Sequence, residues 1–147
     1  PLLASAEGMN CAINQLAARV AGLKLDLVAG IESRGFLFST LLAARLGIGS
    51  LMIRKPGKLP GNLVDETYDL EYGSAALTMQ VDALVAGQSV LLIDDLLATG
   101  GTMAAAKSLL LACGAVVPAC AVIVELATLG GRAALDVPLI ALQVYDE

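Results

Sequence analysis

The spacing of apolar residues along the chain predicts helices that alternate with strands. Over residues 5–21 the apolar positions recur every three to four residues, a pattern typical of an amphipathic helix. Residues 36–46 and 102–113 also have a helical pattern, and each of these two segments follows a short apolar run. Apolar runs bounded by glycine and polar residues predict buried strands. These runs fall at residues 25–30, 50–54, 89–93, 115–124 and 139–144.

This order of elements predicts an α/β fold with a central, mostly parallel sheet and helices on both faces. Two segments depart from it. Residues 55–66 contain two prolines and two glycines, which predict a loop. Residues 67–72 and 75–80 alternate on either side of a Gly-Ser pair and predict a small flap hairpin. The length of 147 residues fits one domain, residues 1–147, with a sizeable core.

Composition narrows the class of protein. The chain is 57% hydrophobic but only 3% aromatic, so its core is aliphatic. A net charge of −5 argues against nucleic-acid binding, and no apolar run reaches the roughly 18 residues of a membrane span. The absence of histidine excludes nucleophilic dyads and metal sites that need it. Cys11, Cys113 and Cys120 lie in apolar stretches, which predicts buried, reduced thiols in the cytoplasm.

The clearest candidate site is the stretch VLLIDDLLATGGT, residues 90–102. An apolar strand runs into Asp94 and Asp95, and a loop of small residues then leads into a helix. Small residues let backbone N–H groups approach a phosphate, and a helix N-terminus favours negative charge. Adjacent carboxylates suit a polyhydroxyl group. The loop consists of Ala98, Thr99, Gly100, Gly101 and Thr102.

Two structural alternatives stand beside this interpretation. A glycine-rich loop also permits a tight strand-to-helix connection without any ligand. Consecutive strand residues point to opposite faces, so both acids serve one ligand only if the strand has already given way to loop. Otherwise one of them bonds the loop backbone. The stretch matches neither the Walker A motif nor the dinucleotide-binding GxGxxG motif.

This stretch resembles the sugar-donor motif of the type I phosphoribosyltransferases. Three further segments resemble the members of that family that act on adenine: GIESRGFLFS at 30–39, IRKPGKLPG at 53–61 and YDLEYG at 68–73. The resemblance implies the Rossmann-like fold of that family. It also implies transfer of the phosphoribosyl group from 5-phosphoribosyl diphosphate (PRPP) to adenine, which yields AMP and pyrophosphate with the help of Mg²⁺. A cytoplasmic homodimer without nucleic-acid or membrane partners is expected.

The resemblance also implies roles for the residues of the sugar-donor site. The loop 98–102 would hold the 5′-phosphate, and Asp94 and Asp95 would bind the ribose hydroxyls. Arg34 would bind pyrophosphate from a turn that in this family often carries a non-proline cis peptide, here between Glu32 and Ser33. The alternative for Arg34 is a surface arginine at a helix start. Magnesium would be held by substrate and water more than by side chains, so no metal ligand is assigned.

Other candidate residues lie in the loop, the hairpin and the strand ends. Arg54, Lys55 and Lys58 would meet the diphosphate, partly across a dimer. The alternative for these three residues is a solvated basic loop. For Arg54, a structural ion pair is a further alternative. Glu71 would be the acid/base group, unless it is an exposed hairpin acid. Tyr72 would either orient the diphosphate or cover the site, and Leu126 and Ala98 are the candidates for contact with the base.

Base specificity is the open part of the prediction. In the family, a segment that we expect to precede residue 1 reads the purine edge. Two rival functions therefore stand beside adenine transfer. One is a phosphoribosyltransferase for another base, and the other is a non-catalytic regulator that senses PRPP or a nucleotide.

Overall fold

The computed structural model describes residues 1–70 and 73–146, which form three helices and seven strands. The helices are α1 (Ala6–Val20), α2 (Gly35–Leu46) and α3 (Gly101–Ala112). The strands are β1 (Leu27–Ile31), β2 (Gly49–Ile53), β3 (Leu63–Asp69), β4 (Ser74–Gln80), β5 (Val90–Leu97), β6 (Cys120–Leu126) and β7 (Leu139–Tyr145). Two 3₁₀ turns, Ala127–Leu129 and Gly131–Ala134, follow β6.

Five strands form one parallel sheet in the order β2-β1-β5-β6-β7. The strands β3 and β4 form a separate antiparallel hairpin, paired from Leu63 opposite Gln80 to Asp69 opposite Ser74. Reciprocal backbone hydrogen bonds between Arg54 and Thr78 join this hairpin to the chain just after β2. The predicted α/β fold with a mostly parallel sheet and a small hairpin is confirmed.

Two apolar layers cover the sheet, and β5 contributes to both. Its Leu91 and Ile93 pack with α1 and α2, whereas Val90 and Leu92 pack on the α3 side together with the hairpin. A parallel strand buried on both faces is apolar at consecutive positions, which explains the run that predicted it. No helix within residues 1–70 and 73–146 is long and apolar enough to cross a membrane.

Several predicted boundaries were wrong. The strand β5 continues to Leu97, four residues past its predicted end, because β6 still pairs with it there. The strand β3 begins at Leu63, inside the predicted loop, because β4 offers it a pairing edge. The strand β6 begins only at Cys120, since Pro118 lacks the N–H group that a ladder needs.

The cysteines only partly match the prediction of buried thiols. Cys120 is buried and Cys113 is half-buried, but Cys11 is exposed. The reason is its place on α1, where the buried positions are Ala12, Leu16 and their helical neighbours. All three cysteines are free thiols, as predicted.

Candidate active site

A cavity of about 430 Å³ opens where β1 and β5 separate. The pairing of these strands ends at Gly30 opposite Ile93, and beyond that point each continues beside a different neighbour. The connection after β1 leads to β2 on one side, and the one after β5 leads to β6 on the other. Such a switch point at the carboxyl ends of strands is where open α/β sheets bind ligands.

One wall of the cavity is the phosphate loop, residues 98–102, and all five of its residues line it. Gly100 has a positive φ of 89°, and α3 begins at the next residue. Among the described residues no side chain caps the start of α3. The first backbone N–H groups of this helix therefore have no side-chain acceptor. Backbone donors at a helix start, next to the Thr99 and Thr102 hydroxyls, are well suited to hold a phosphate.

Asp94 and Asp95 both line the cavity, although both lie within β5. The expectation that the strand must end before them was therefore wrong. The pairing of β1 with β5 has already ended there, so that edge of β5 is open. The backbone N–H of Asp95 donates to Asp94 Oδ1 at 2.8 Å. This contact lies within β5, so it is not the bond to the loop backbone that the alternative assigned to one acid of the pair.

The two carboxyls of the acid pair have different surroundings. Arg34 Nε lies 2.7 Å from Asp95 Oδ2. Burial raises the pKa of Asp94 to about 7, and the nearby Asp95 carboxylate adds to this rise. The Asp95 amide and Arg34 oppose it without cancelling it. Near neutral pH the ligand-free site therefore holds one carboxylate paired with arginine and one carboxyl that takes up a proton readily.

Arg34 lies in the turn before α2, and its side chain is 68% exposed. This turn contains a cis peptide between Glu32 and Ser33, which confirms the prediction for that bond. The contact with Asp95 uses Nε, and the two Nη groups donate no hydrogen bond within residues 1–70 and 73–146. A planar guanidinium with free outer donors beside the cavity is suited to an incoming phosphate group.

Glu32 organises the chain segment that follows β2. Its Oε1 accepts hydrogen bonds from Arg54 Nε and from the Lys55 backbone N–H, each at 3.0 Å. Burial raises the pKa of Glu32, but these donors and the nearby positive charges outweigh it, so the pKa is lowered overall. The Arg54 guanidinium also lies 5.6 Å from the ring centroid of Phe36. These contacts favour the structural ion pair that was the alternative for Arg54.

The predicted site residues divide into three groups. The cavity brings together Arg34, Lys55, both aspartates and the phosphate loop. It does not include Arg54, Lys58 or Leu126; Lys58 is exposed on its loop and Leu126 ends β6. Glu71 and Tyr72 lie outside the residues that the structure describes. The roles of the residues in all three groups stay predictions.

Three residues at the site escaped the sequence analysis. Tyr68 lines the cavity, and its hydroxyl accepts a 3.3 Å hydrogen bond from Thr102 Oγ1. Every second residue of β3 is half-buried, and Tyr68 is one of them. This alternation was the signal that could have indicated Tyr68. Glu32 and Gly131, which contacts the phosphate loop, carried no local pattern that indicated a role, because their partners are distant in sequence.

A second cavity of about 300 Å³ adjoins the first and shares Arg34, Asp95 and Leu96 with it. Its remaining walls are apolar: Leu2, Leu3, Leu37, Phe38, Ile123 and Val124. The apolar walls lie next to the carboxyls because Leu96 directly follows the acid pair in β5. The site therefore has a polar compartment beside an apolar one.

The raised pKa of Asp94 predicts a pH-dependent effect of Asp94→Asn on stability. The folded-state pKa lies above the unfolded one, so the protonated carboxyl stabilises the fold at low pH. This stability is lost as the pH rises through 7. The variant should match the wild type near pH 4 and exceed it by about 4 kcal/mol at most at pH 8.

Denaturant unfolding of the ligand-free protein between pH 4 and 8 measures this difference. Asparagine keeps the oxygen that accepts the Asp95 N–H, so the change removes mainly the charge. Asp82→Asn removes a carboxyl from an exposed position and is the matched control. A difference between Asp94→Asn and the wild type that does not change with pH would contradict the assignment.

Comparison with known proteins identifies the family. The family model described as "Phosphoribosyl transferase domain" matches residues 3–138. Adenine phosphoribosyltransferase from Gluconacetobacter diazotrophicus is 53% identical over 146 residues, which cover 99% of this chain and 83% of that protein. The crystal structure of adenine phosphoribosyltransferase from Thermoanaerobacter pseudethanolicus aligns with a TM-score of 0.96 at 44% identity, covering 99% of this chain and 85% of that one.

A third match is a crystal structure with ligands. Adenine phosphoribosyltransferase from Saccharomyces cerevisiae, in complex with D-2,5-dideoxy-2,5-imino-altritol 1,6-bisphosphate and adenine, aligns with a TM-score of 0.91 at 38% identity. The alignment covers 97% of this chain and 83% of that one. With the sheet order, the phosphate loop and the acid pair, these matches show that the chain belongs to the phosphoribosyltransferase family. Within that family it is a member of the adenine phosphoribosyltransferases.

Proposed function

We propose that this chain transfers the 5-phosphoribosyl group of PRPP to adenine, which forms AMP and releases pyrophosphate in purine salvage. One observation carries the proposal: a single cavity joins a phosphate loop, a pair of carboxyls and an exposed arginine. These three features match the 5′-phosphate, the ribose hydroxyls and the diphosphate of PRPP. Family membership agrees with the same reaction.

The chemistry needs negative charge to be stabilised where the bond to C1 breaks. As pyrophosphate leaves, charge builds on its oxygens, and preorganised cations and N–H groups there lower the barrier. Arg34 and Lys55 line the cavity and supply this positive charge. Asp94 and Asp95 accept hydrogen bonds from the ribose 2′- and 3′-hydroxyls and so hold the sugar for in-line attack by the base.

The flap hairpin completes the proposed site. Its strands lead to Glu71 and Tyr72, in the order that the family resemblance assigns to the acid/base group and to the residue over the diphosphate. Closure of such a flap would exclude water from a reactive, positively charged sugar. Lys58 and Arg54 add positive charge near the diphosphate, in part from the neighbouring subunit of a homodimer. Exposed Leu41 on α2 would add apolar surface to that dimer.

The apolar cavity next to the acid pair is the proposed adenine compartment. A purine needs apolar walls for its faces, and Leu96 supplies one beside the carboxyls. Leu126 and Ala98 are further candidates for contact with the base. Residues 1–147 would form one catalytic domain. We also propose a cytoplasmic location.

Magnesium fits the site as a companion of PRPP. The carboxylate and substrate oxygens are of the type that Mg²⁺ prefers. Within the described part of the chain, no group of three or more acidic or cysteine side chains is placed to hold a metal ion. Substrate oxygens and water would supply most of its ligands, and Asp94 and Asp95 are the carboxyls that line the cavity. When bound, the ion would neutralise diphosphate charge.

Turnover of PRPP with a panel of bases tests the proposal. Adenine should give AMP and pyrophosphate, whereas hypoxanthine, guanine, xanthine and orotate should give little product. Activity with another base and none with adenine would assign a different specificity. PRPP binding without turnover would favour the regulatory function. The same assay on Glu71→Gln tests the acid/base role, which unchanged turnover would refute.

Tyr68→Phe should raise the KM for PRPP about three- to tenfold, because one hydrogen bond to the phosphate loop is lost. The phenyl ring remains, so packing of the hairpin against α3 is kept. Tyr145→Phe removes the same hydroxyl from an exposed position on β7 and should leave KM unchanged. Steady-state kinetics at saturating adenine measure both. Equal KM values for the two variants would contradict this role of Tyr68.

A further inference from the structure

A 3₁₀ turn lies directly against the phosphate loop. Gly131, the first residue of this turn, is buried, and its backbone contacts the loop backbone. A Cβ atom placed on Gly131 would lie 2.4 Å from the Ala98 carbonyl oxygen and 3.0 Å from the Gly100 nitrogen. A Cβ atom placed on Gly100 would lie 2.5 Å from the Gly131 carbonyl oxygen. The position of the loop therefore depends on the position of the turn.

An ion pair between Arg132 and Glu125 holds this turn. Arg132 Nη2 donates to Glu125 Oε1 at 2.6 Å, and Nε donates to Oε2 at 3.2 Å. Arg132 Nη1 also donates to the Leu139 carbonyl oxygen at 3.0 Å. One guanidinium thus joins the turn to the end of β6 and the start of β7. The paired, two-bond geometry adds directional control that a single contact lacks.

Glu125 is unusually placed for an acid. It is only 4% exposed, at the carboxyl end of β6, and it does not line the substrate cavity. A buried carboxylate is costly unless it is paired and hydrogen-bonded, and Arg132 meets both needs. Neither residue is suited to touch PRPP. Their ion pair is instead connected to the phosphate loop through Gly131, the residue before Arg132.

We propose that Glu125 and Arg132 are positioning residues for the 5′-phosphate of PRPP, acting through the backbone contact of Gly131 with Ala98 and Gly100. This inference rests on the proposed function. The phosphate is held by backbone N–H groups, which cannot swing toward a ligand as a side chain can. A shift of the turn by a fraction of an ångström therefore misdirects several donors at once.

The test measures the dissociation constant of PRPP by calorimetry and the KM values for PRPP and adenine. Arg132→Gln should raise both PRPP constants about tenfold or more and change the KM for adenine by less than about twofold. Arg132→Lys keeps the charge but loses the forked contact, so it should raise the PRPP constants by about three- to fivefold. A purely structural pair would not separate PRPP from adenine in this way.

Asp136→Asn is the matched control. It removes a nearby ion pair with Lys107, in which the oxygen and nitrogen are 3.9 Å apart and Asp136 is 93% exposed. This variant should bind PRPP like the wild type. The double variant Glu125→Gln/Arg132→Gln removes both charges together. It leaves no unpaired buried carboxylate at position 125, so it serves where Arg132→Gln alone fails to fold.

Wild-type PRPP affinity in either folded glutamine variant would overturn the proposal. Weakened PRPP binding in the double variant, with a normal KM for adenine, would support it. Turnover by the wild type tests the proposed function separately. Wild-type protein that binds PRPP without turnover refutes that function, and the binding comparison still decides the positioning role. A wild type that does not bind PRPP refutes both.

Discussion

Arg34→Gln should lower kcat/KM for PRPP by about 100- to 1,000-fold, the usual loss when one preorganised donor to developing charge is removed. The side chain is exposed at the cavity mouth, with its Nε held 2.7 Å from Asp95. Glutamine cannot offer a delocalised positive charge to the departing pyrophosphate. The loss should appear mainly in kcat, because the charge on the leaving group grows in the transition state.

Two variants make this result specific. Arg34→Lys keeps the charge but not the planar fork, so it should recover only part of the activity. Arg45→Gln removes an exposed arginine at the other end of α2 and should leave kcat unchanged. Steady-state kinetics with adenine as the second substrate measure all three. An unchanged kcat in folded Arg34→Gln would assign this residue to a surface role instead.

Gly100→Ala should destabilise the protein by about 3–5 kcal/mol, at the upper end of single-residue effects. Two costs add at this position. Its φ of 89° is unfavourable for any residue with a Cβ atom, and that atom would also lie 2.5 Å from the Gly131 carbonyl oxygen. Relief of this collision requires the loop or the turn to move. The KM for PRPP should therefore rise at least about tenfold in protein that remains folded.

The chain offers a matched control for each cost. Gly87 has a φ of 93°, but a Cβ atom added there would meet no described atom within 4 Å, so Gly87→Ala carries only the backbone strain, about 1–2 kcal/mol. Gly101 follows Gly100, has no positive φ and has open space, so Gly101→Ala should leave stability nearly unchanged. Denaturant unfolding ranks the three variants. Equal losses in Gly100→Ala and Gly87→Ala would show that the collision is relieved without cost.

Local sequence patterns determined the order and type of the elements. Parallel strands buried on both faces must be apolar at consecutive positions, and helices need an apolar face, so both patterns are visible without a structure. The stretch from β5 to α3 is also local. Its acids and small-residue loop are adjacent in sequence, so their nearness in space follows from chain connectivity. The start of α1 is local in the same way, because the Ser5 hydroxyl oxygen accepts a hydrogen bond at 3.0 Å from the N–H of Gly8, three residues further on.

Only the tertiary structure decided which distant groups meet. Glu32 pairs with Arg54 across 22 residues, and Tyr68 reaches Thr102 across 34 residues. Both acids face one cavity because the pairing of β1 with β5 ends beside them, not because β5 ends. Gly131 contacts the phosphate loop because β6 lies beside β5 in the sheet. Such contacts depend on strand order and packing, which no single segment of the sequence encodes by its own spacing.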